Sequence, residues 1–435
     1  MVGALYRNEQ PGQLPDSWYV ATAEMPPMRH ALKGAHRADV CVVGAGFTGL
    51  SAARHLAAKG LSVIVLDAHR VGFGASGRNG GQVWSGYNQP MRALAKRYGV
   101  GTARALWDLT EEAKDDVRKI CAAEVPEARF RPGIAEAATR PAELDDMHRN
   151  AEFLQTEFGY DRITLLDRDS LRAIVKTDDY YGGHLDTGAG HIHPMRYLLA
   201  LARLATNAGA EIFEGSEVLH ITHGDPAVVQ TAHGQVTAGH VVLAGNGYLT
   251  NLAPRWSAKV MPINSYIAAT EPLGGRADSI MTQDIAVSDS KHVLNYYRLS
   301  EDRRLLFGGR ASYSLTFGND VAAFMAERIA ALFPQIAGVG IDYAWGGTLG
   351  ITPNKLPVIM RVGSNVLAAG GYSGVGVALS GLAGKVMAEA VAGQSGRFET
   401  LSAFEVPSYP GGTLLRSPIR RLGMAWFQLR DKLGV

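Results

Sequence analysis

The sequence predicts an α/β protein in which a Rossmann-like nucleotide-binding domain carries an inserted α+β domain built on antiparallel sheet. Three observations lead to this prediction. Residues 39–67 have the strand, glycine turn, helix and strand of a βαβ unit, and residues 365–393 return to a strand, a glycine turn and a helix. Between them, residues 258–316 alternate apolar and polar side chains, as antiparallel strands do.

These patterns divide the 435 residues into separated segments. We predict a nucleotide-binding domain from residues 38–90, 190–257 and 343–400, and an inserted domain from residues 91–189 and 258–342. Residues 1–37 are expected to form a leader that wraps the body, and residues 401–435 a C-terminal tail. Helical periodicity covers about 91–123, 141–158, 194–208 and 320–332, whereas 210–221 is predicted as a strand and the glycine-rich 68–88 as a loop.

The composition is that of an ordinary globular protein. Apolar residues make up 46% and charged residues 19%, and the net charge of +2 gives no reason to expect a nucleic-acid partner. No apolar stretch is long enough to predict a membrane span. The two cysteines, Cys41 and Cys121, cannot form a disulfide framework, so a reducing, cytoplasmic location is expected.

The first βαβ unit carries the clearest chemical signal. Gly44 permits a tight turn, Gly46 lets a pyrophosphate approach the backbone, and Gly49 lets the helix pack closely on the strand. The free N–H groups of the helix N-terminus would face the phosphate charge. Asp67 follows the second strand, where it can accept hydrogen bonds from a ribose and repel a 2′-phosphate. The unit therefore predicts a dinucleotide other than NADP, and leaves NAD and FAD open.

Two further glycine-rich segments suit a ligand. Residues 76–81 (SGRNGG) could form a concave anion site from backbone N–H groups, although a flexible surface loop is the competing interpretation. Residues 371–376 (GYSGVG) open a helix, and its positive end could stabilise negative charge on a bound group. A helix packed closely on a strand through glycine would give the same pattern.

Five motifs resemble one known family. GAGFTG, GFGASGRNGGQ, GHIHP, VVLAGNGY and GGYSGVGVALSGLAG are similar to the D-amino-acid oxidase/sarcosine oxidase family of FAD-dependent amine oxidoreductases. GFGASGRNGGQ and the tail GGTLLRSPIRRLGMAWFQLRDKLG are similar to its gamma-glutamylputrescine oxidase subgroup. The resemblance implies bound FAD. It also implies noncovalent attachment, because the chain lacks the Cys or His to which family members with covalent flavin attach it.

The resemblance and the glycine motifs together give a set of expected FAD-binding residues. They are Gly44, Gly46, Phe47, Thr48, Gly49, Asp67, Ala68, Ser76, Gly77, Arg78, Asn79, Gly80, Gly81, Gln82, Val218, Ala244, Gly245, Gly371, Tyr372, Ser373, Gly374, Val375 and Gly376. Val218 would contact adenine through strand backbone, and Ala244 and Gly245 would pass the phosphates.

The substrate side is expected on the antiparallel sheet. The candidates for catalytic or substrate-binding roles are Tyr266, Arg298, Arg310 and Tyr372, with Tyr296 and Tyr297 beside them. An arginine there could hold a substrate carboxylate with two hydrogen bonds, although sheet salt bridges would use the same residues. No metal site is expected, because no ligand set completes the cluster of His184, His191 and His193.

The predicted activity is oxidation of an amine to an imine and then an aldehyde, by hydride transfer to FAD, with oxygen or another electron acceptor. A D-amino-acid, glycine or sarcosine oxidase or dehydrogenase, an NAD-dependent dehydrogenase and a flavin-binding subunit without turnover remain alternatives. The basic, amphipathic tail is expected to pack on the body or to join a homo-oligomer, rather than to meet a membrane surface.

Overall fold

The structure is a computed structural model, and it describes residues 4–8, 10–249, 252–291, 293–312, 316–318 and 320–411. Its strands, in chain order, are β1 Gly34–Val43, β2 Val63–Leu66, β3 Gln82–Val83, β4 Arg131–Ala138, β5 Ile163–Leu166, β6 Gly182–His191, β7 Glu211–Phe213, β8 His220–Thr222, β9 Ala227–Gln230, β10 Gly234–Leu243, β11 Met261–Thr270, β12 Ala286–Asp289, β13 Tyr296–Leu299, β14 Leu305–Ser312, β15 Ile341–Ile351, β16 Val358–Arg361 and β17 Val366–Gly370.

The α-helices alternate with these strands over much of the chain. They are α1 Trp18–Thr22, α2 Phe47–Ala57, α3 Met91–Tyr98, α4 Val100–Ala123, α5 Pro141–Phe158, α6 Arg168–Ile174, α7 Pro194–Asn207, α8 Pro254–Ser257, α9 Val321–Leu332, α10 Gly376–Val391 and α11 Gly396–Ser402. None of the helices in the described part of the chain is both long and apolar enough to cross a bilayer.

The first sheet has the parallel centre that the βαβ pattern predicts. Its order is β16-β17-β10-β1-β2-β7, with β9 and β8 added as an antiparallel pair beside β10. The strands from β17 to β7 are parallel, and β1 lies in the middle between β10 and β2. The carboxyl ends of β1, β2, β10 and β17 therefore meet at one edge, where ligands of such sheets bind.

The second sheet is mostly antiparallel, as predicted. Its order is β15-β11-β14-β13-β12-β4-β6-β3, with β5 paired to β6. One pair, β12 and β4, is parallel. Two strands of this sheet cross the predicted domain boundaries. β15 continues past residue 343 to Ile351, and β6 continues past residue 190 to His191. The division into two domains remains a proposal, with these two strands assigned to the inserted sheet.

Three local predictions were wrong. Residues 210–221 form two short strands, β7 and β8, because the segment between them turns away to bond with residues 67–71. The helical stretch 91–123 is two helices, because Gly99 between them adopts a φ of +87°. The loop 68–88 contains β3, which pairs with β6 through Gln82 and His191.

Residues of the N-terminal region pack against the rest of the protein. Trp18 and Tyr19 are buried, and the Tyr19 ring contacts the rings of Trp345 and His193 edge-on, at 5.3 and 5.1 Å between centroids. At the other end, α11 packs on α10. Residues 412–435, which include most of the predicted amphipathic tail, lie outside the described residues.

Helices α2 and α10 pack at backbone contact. A Cβ at Gly384 of α10 would lie 2.3 Å from the carbonyl oxygen of Thr48 and 2.7 Å from the backbone nitrogen of Ala52. Neither atom can move without moving α2, so only glycine allows this approach. The contact matters for the site because Thr48 is in the first turn of α2.

We predict that Gly384→Ala destabilises the protein, whereas Gly381→Ala on the same helix stabilises it. The first substitution overpacks the α2–α10 contact, at a cost of roughly 1–3 kcal/mol. A Cβ at Gly381 meets nothing within 4 Å, and alanine is favoured over glycine in a helix by about 0.5–1 kcal/mol. Urea unfolding at a fixed excess of FAD measures both variants. Equal destabilisation by the two substitutions would contradict the packing argument.

Candidate active site

The turn between β1 and α2 is shaped by backbone contacts that exclude side chains. Gly44 adopts a φ of +105° and donates its N–H to the carbonyl oxygen of Leu66 at 2.8 Å. A Cβ at Gly49 would lie 1.8 Å from the carbonyl oxygen of Gly44. Gly46 caps α2 without a side-chain hydrogen bond. The first turn of α2 therefore has backbone N–H groups, beyond that of Phe47, which could face an anion.

Asp67 stands beside this turn, at the carboxyl end of β2. Its carboxylate accepts hydrogen bonds from the backbone N–H groups of Ala45 at 2.8 Å and His69 at 2.9 Å. Burial raises the pKa of Asp67 to about 6, and the nearby negative charge of Glu214 adds to the rise, while the two backbone donors oppose it. The carboxyl group is therefore ionised at neutral pH and titrates only slightly below it.

The loop that follows β2 is held between the two sheets. Ser76 Oγ accepts the N–H of Phe47 at 3.0 Å, which fixes the loop to the start of α2. Asn79 donates from Nδ2 to the carbonyl oxygens of Ala75 and Ser76, and its Oδ1 accepts the N–H of Gly81 at 2.8 Å. The asparagine thus folds the loop on itself. The loop is ordered by these bonds, which argues against a flexible surface loop.

Arg78 connects this loop to the second sheet. Its guanidinium donates to the carbonyl oxygens of Phe73 and Gly346, and it lies 4.9 Å from the centroid of the Phe73 ring. Trp345 Nε1 in turn donates to the carbonyl oxygen of Arg78 at 3.0 Å. Since Arg78 is 3% exposed, its positive charge is used inside the protein to join the loop to β15.

The second glycine segment, residues 371–376, leads into α10 beside α2. Tyr372 Oη and Thr48 Oγ1 are 2.7 Å apart, and the N–H of Gly371 donates to Asn246 Oδ1 at 2.9 Å. Ser373 has a positive φ of +52° and donates its N–H to Gly350. No side chain caps α10. Two helix N-termini, those of α2 and α10, are thus brought to the same region.

One large cavity lies at this edge of the first sheet. It encloses about 1270 Å³ of empty space, including the part open to solvent, and both helix N-termini line it. The predicted residues that line it are Gly44, Gly46, Phe47, Thr48, Asp67, Ala68, Ser76, Asn79, Val218, Ala244, Gly245, Tyr372, Ser373, Gly374 and Gly376. Gly49, Gly77, Arg78, Gly80, Gly81, Gln82, Gly371 and Val375 lie behind or beside this lining.

The sequence analysis missed several lining residues. Leu5, His69, Phe73, Glu217 and the strand segment 348–350 all face the cavity. His69 and Phe73 could have been predicted, because both lie in the predicted loop 68–88, shortly before residues 76–81. Leu5 and residues 348–350 carry no motif, since the fold alone brings them to the site.

The predicted substrate residues mostly lie elsewhere. Arg298 is 5% exposed, and its guanidinium donates to the carbonyl oxygens of Gly80, Ile192 and Leu299 and to Tyr19 Oη. Arg298 does not line the cavity, and these hydrogen bonds tie β13 to the glycine-rich loop and its neighbours. Its position therefore gives no support to the expected contact with a substrate carboxylate, which stays a prediction.

The tyrosines of the sheet divide between its two faces. Tyr266 is buried against Phe317, and Tyr297 is buried against Phe307. Neither lines the cavity, so their expected roles at the substrate are not supported by their positions. Tyr296 packs on Gly80 of the glycine-rich loop, since a Cβ there would lie 2.9 Å from its ring. Arg310 lies in β14, and its side chain is outside what the structure describes.

The chain matches a known family over most of its length. The model of the FAD dependent oxidoreductase family, DAO, matches residues 39–390. The chain belongs to the DAO family. It is 38% identical over 417 residues to the probable oxidoreductase OrdL of Rhizobium meliloti, covering 96% of this chain and 97% of that protein. It is also 38% identical over 421 residues to the gamma-glutamylputrescine oxidoreductase of Escherichia coli, covering 96% and 99%.

Solved structures of the family confirm the fold. The glycine oxidase of Geobacillus kaustophilus superimposes with a TM-score of 0.66 at 23% identity, covering 82% of this chain and 95% of that one. The L-proline dehydrogenase from P. horikoshii gives 0.68 at 20% identity, covering 84% and 96%. This DAO-family chain is therefore an FAD-dependent oxidoreductase with the predicted Rossmann-like and inserted-sheet architecture.

The cavity fits FAD on structural grounds. Gly49 leaves no room for a side chain, Gly44 has a positive φ that favours glycine, and Gly46 at the start of α2 has no side chain to cover the helix N-terminus. The backbone of this turn can therefore lie close to a bound phosphate. Asp67 at one side and the N-terminus of α10 at the other belong to the same cavity, as a long cofactor requires. No group of three or more His, Cys, Asp or Glu within the described residues is placed to hold a metal ion.

We predict that FAD binds more weakly below pH 6 because Asp67 becomes protonated there. The pKa of about 6 means that the carboxylate, which accepts hydrogen bonds best when ionised, is lost as pH falls from 7.5 to 5. The dissociation constant should rise by at most about tenfold per pH unit below the pKa. Fluorescence titration of apoprotein with FAD measures it. Asp67→Asn should bind more weakly and with a flatter pH dependence; an unchanged slope would assign the effect to another group.

Proposed function

We propose that this enzyme oxidises a gamma-glutamyl amine of the gamma-glutamylputrescine type to an imine, which water hydrolyses to an aldehyde. The observation that supports the proposal is the 38% identity to a gamma-glutamylputrescine oxidoreductase over 99% of that protein's length. Bound FAD would supply a two-electron acceptor for the hydride of the substrate C–H bond, with oxygen as the proposed final acceptor.

The residues proposed to hold FAD are those that line the cavity. The N-terminus of α2 would receive the pyrophosphate and Asp67 the ribose, through the contacts described above. The segment 371–376 would place the positive end of α10 near the part of the cofactor that gains charge. Attachment is proposed to be noncovalent, since Cys41 and Cys121 do not line the cavity and both ring nitrogens of His69 are engaged within the protein.

Tyr372 is proposed to position groups rather than to remove a proton. It is the one titratable side chain that residues 348–350 and 371–376 contribute to the cavity lining. Burial raises the pKa of Tyr372 above its usual value, so its hydroxyl stays protonated at neutral pH. The amine would then react in its neutral form, after giving its proton to solvent. Proximity and exclusion of water would supply much of the rate.

Location and assembly are also proposals. The free, buried state of Cys41 and Cys121 suits a reducing compartment, and we propose the cytoplasm. A homo-oligomer joined through the C-terminal tail remains part of the proposal, on the strength of the tail's amphipathic sequence alone.

A substrate panel tests the proposed activity. Anaerobic mixing of the holoenzyme with gamma-glutamylputrescine should bleach the flavin absorption, because the amine reduces the cofactor. Putrescine is the matched control, as it has the same amine without the glutamyl group, and it should react about tenfold more slowly or worse if the protein binds the glutamyl carboxylate.

Glycine, sarcosine and D-alanine complete the panel. Faster bleaching by one of these three than by gamma-glutamylputrescine would replace the proposed substrate with the amino-acid oxidase alternative. No bleaching by any amine would favour a flavin-binding subunit without its own turnover.

A further inference from the structure

Residues near the N-terminus cover one end of the cofactor cavity. We call residues 4–8 and 10–14 of the described chain the N-terminal strap. Leu5 of the strap lines the cavity together with Asp67, His69, Glu217 and Val218. Asp67 and Val218 are the residues expected at the adenosine end. The strap is therefore far from these two residues in sequence but next to them in space.

His69 ties the strap down at two points. Its Nε2 is 2.9 Å from the carbonyl oxygen of Leu5, and its Nδ1 is 3.1 Å from the backbone nitrogen of Gly12. A carbonyl oxygen only accepts and an N–H only donates, so the imidazole is neutral with its proton on Nε2. The side chain has no exposed surface. A bond to each end of residues 5–12 makes His69 a clasp on this segment.

Tyr6 adds a second attachment within the strap. Its hydroxyl donates to Glu217 Oε2 at 2.8 Å, and its ring lies 4.9 Å from the His69 ring. His69 in turn stacks on Phe73 at 3.5 Å, with the planes 3° apart. Tyr6, His69 and Phe73 therefore form one continuous set of rings, of which His69 and Phe73 line the cavity.

A third contact lies just beyond these two. Asn8 Oδ1 accepts the N–H of Phe317 at 2.8 Å, so the strap also reaches the segment that follows β14. Leu14 approaches Gly72 in the loop after β2. A Cβ added to Gly72 would lie 3.8 Å from the Leu14 side chain. The strap is thus anchored along its length rather than at one point.

We propose that the N-terminal strap, clasped by His69, closes the adenosine half of the FAD site and sets how tightly and how long the enzyme keeps its cofactor. The strap reaches the cavity through Leu5, which lines it together with Asp67 and Val218. Its contribution is therefore specific to FAD over FMN, which lacks the adenosine half. It does not depend on which amine the enzyme oxidises.

Binding of FAD and of FMN to the apoprotein tests the proposal. Three variants remove the strap contacts: Tyr6→Phe, His69→Leu, and deletion of residues 2–12. His30→Ala, at an exposed histidine of the N-terminal region, is the matched control. We expect His69→Leu and the deletion to weaken FAD binding about tenfold, as loss of two hydrogen bonds and a covering segment implies, and to speed FAD release by a similar factor. FMN affinity should stay within twofold.

The comparison of FAD with FMN affinity separates a loss specific to the strap from general damage to the fold. An equal loss of FAD and FMN affinity would mean that the variants disturb the fold as a whole, and would overturn the proposal. Unchanged FAD binding in the deletion variant would overturn it as well.

A variant that combines His69→Leu with the deletion shows whether His69 affects FAD binding through the strap. If His69 acts through the strap, the combined variant binds FAD no more weakly than the deletion alone, because the clasp has nothing left to hold. Additive losses would mean that His69 acts on FAD binding independently of the strap, and would overturn its role as the clasp. Flavin reduction by amine, measured with excess FAD, is expected to stay within twofold in the His30→Ala control.

Discussion

The site depends on backbone packing that only glycine permits. Gly49 brings α2 against the turn after β1, and Gly384 brings α10 against the first turn of α2. Both contacts involve carbonyl oxygens at distances where a Cβ would overlap them. Because of these two approaches, the N-termini of α2 and α10 lie side by side at the same edge of the parallel sheet, and one cavity receives the positive ends of both.

The loop after β2 connects this edge to the second sheet. Arg78 reaches Gly346 of β15, while Arg298 of β13 reaches Gly80. Two buried arginines, one in the loop and one in β13, therefore join the loop to the second sheet through backbone carbonyl oxygens. These hydrogen bonds offset part of the cost of burying the two charges. The consequence for function is a preformed site: the loop is positioned before any substrate arrives.

The sequence predicted the residues that line the cavity better than it predicted the surroundings of the residues on the antiparallel sheet. Gly44, Gly46 and Asp67 belong to one continuous βαβ unit, where spacing alone fixes their geometry. Arg298 was assigned to the substrate because an arginine on a sheet facing the site could bind a carboxylate. Its true partners, Tyr19, Gly80 and Ile192, come from three distant segments, and no local pattern indicates them. Leu5 was missed for the same reason, since only tertiary packing brings it to the cavity.

The extent of β15 was also not predicted from the sequence. The pattern of 258–316 predicted antiparallel sheet correctly, but β15 continues that sheet to Ile351, past the glycines of residues 346–350. The predicted domain boundary at 343 assigned these residues to the nucleotide-binding domain. In the structure these glycines are tolerated within the strand because Arg78, Phe317 and Asn246 approach its backbone closely.

The central claim is that this cavity holds one complete FAD by noncovalent contacts. The most direct measurement is the flavin content of the purified protein before and after acid precipitation, with the released flavin identified by chromatography. The account predicts a yellow protein with one flavin per chain, all of it released to the supernatant as FAD. A flavin that stays with the precipitated protein, or one that is released as FMN, would contradict it.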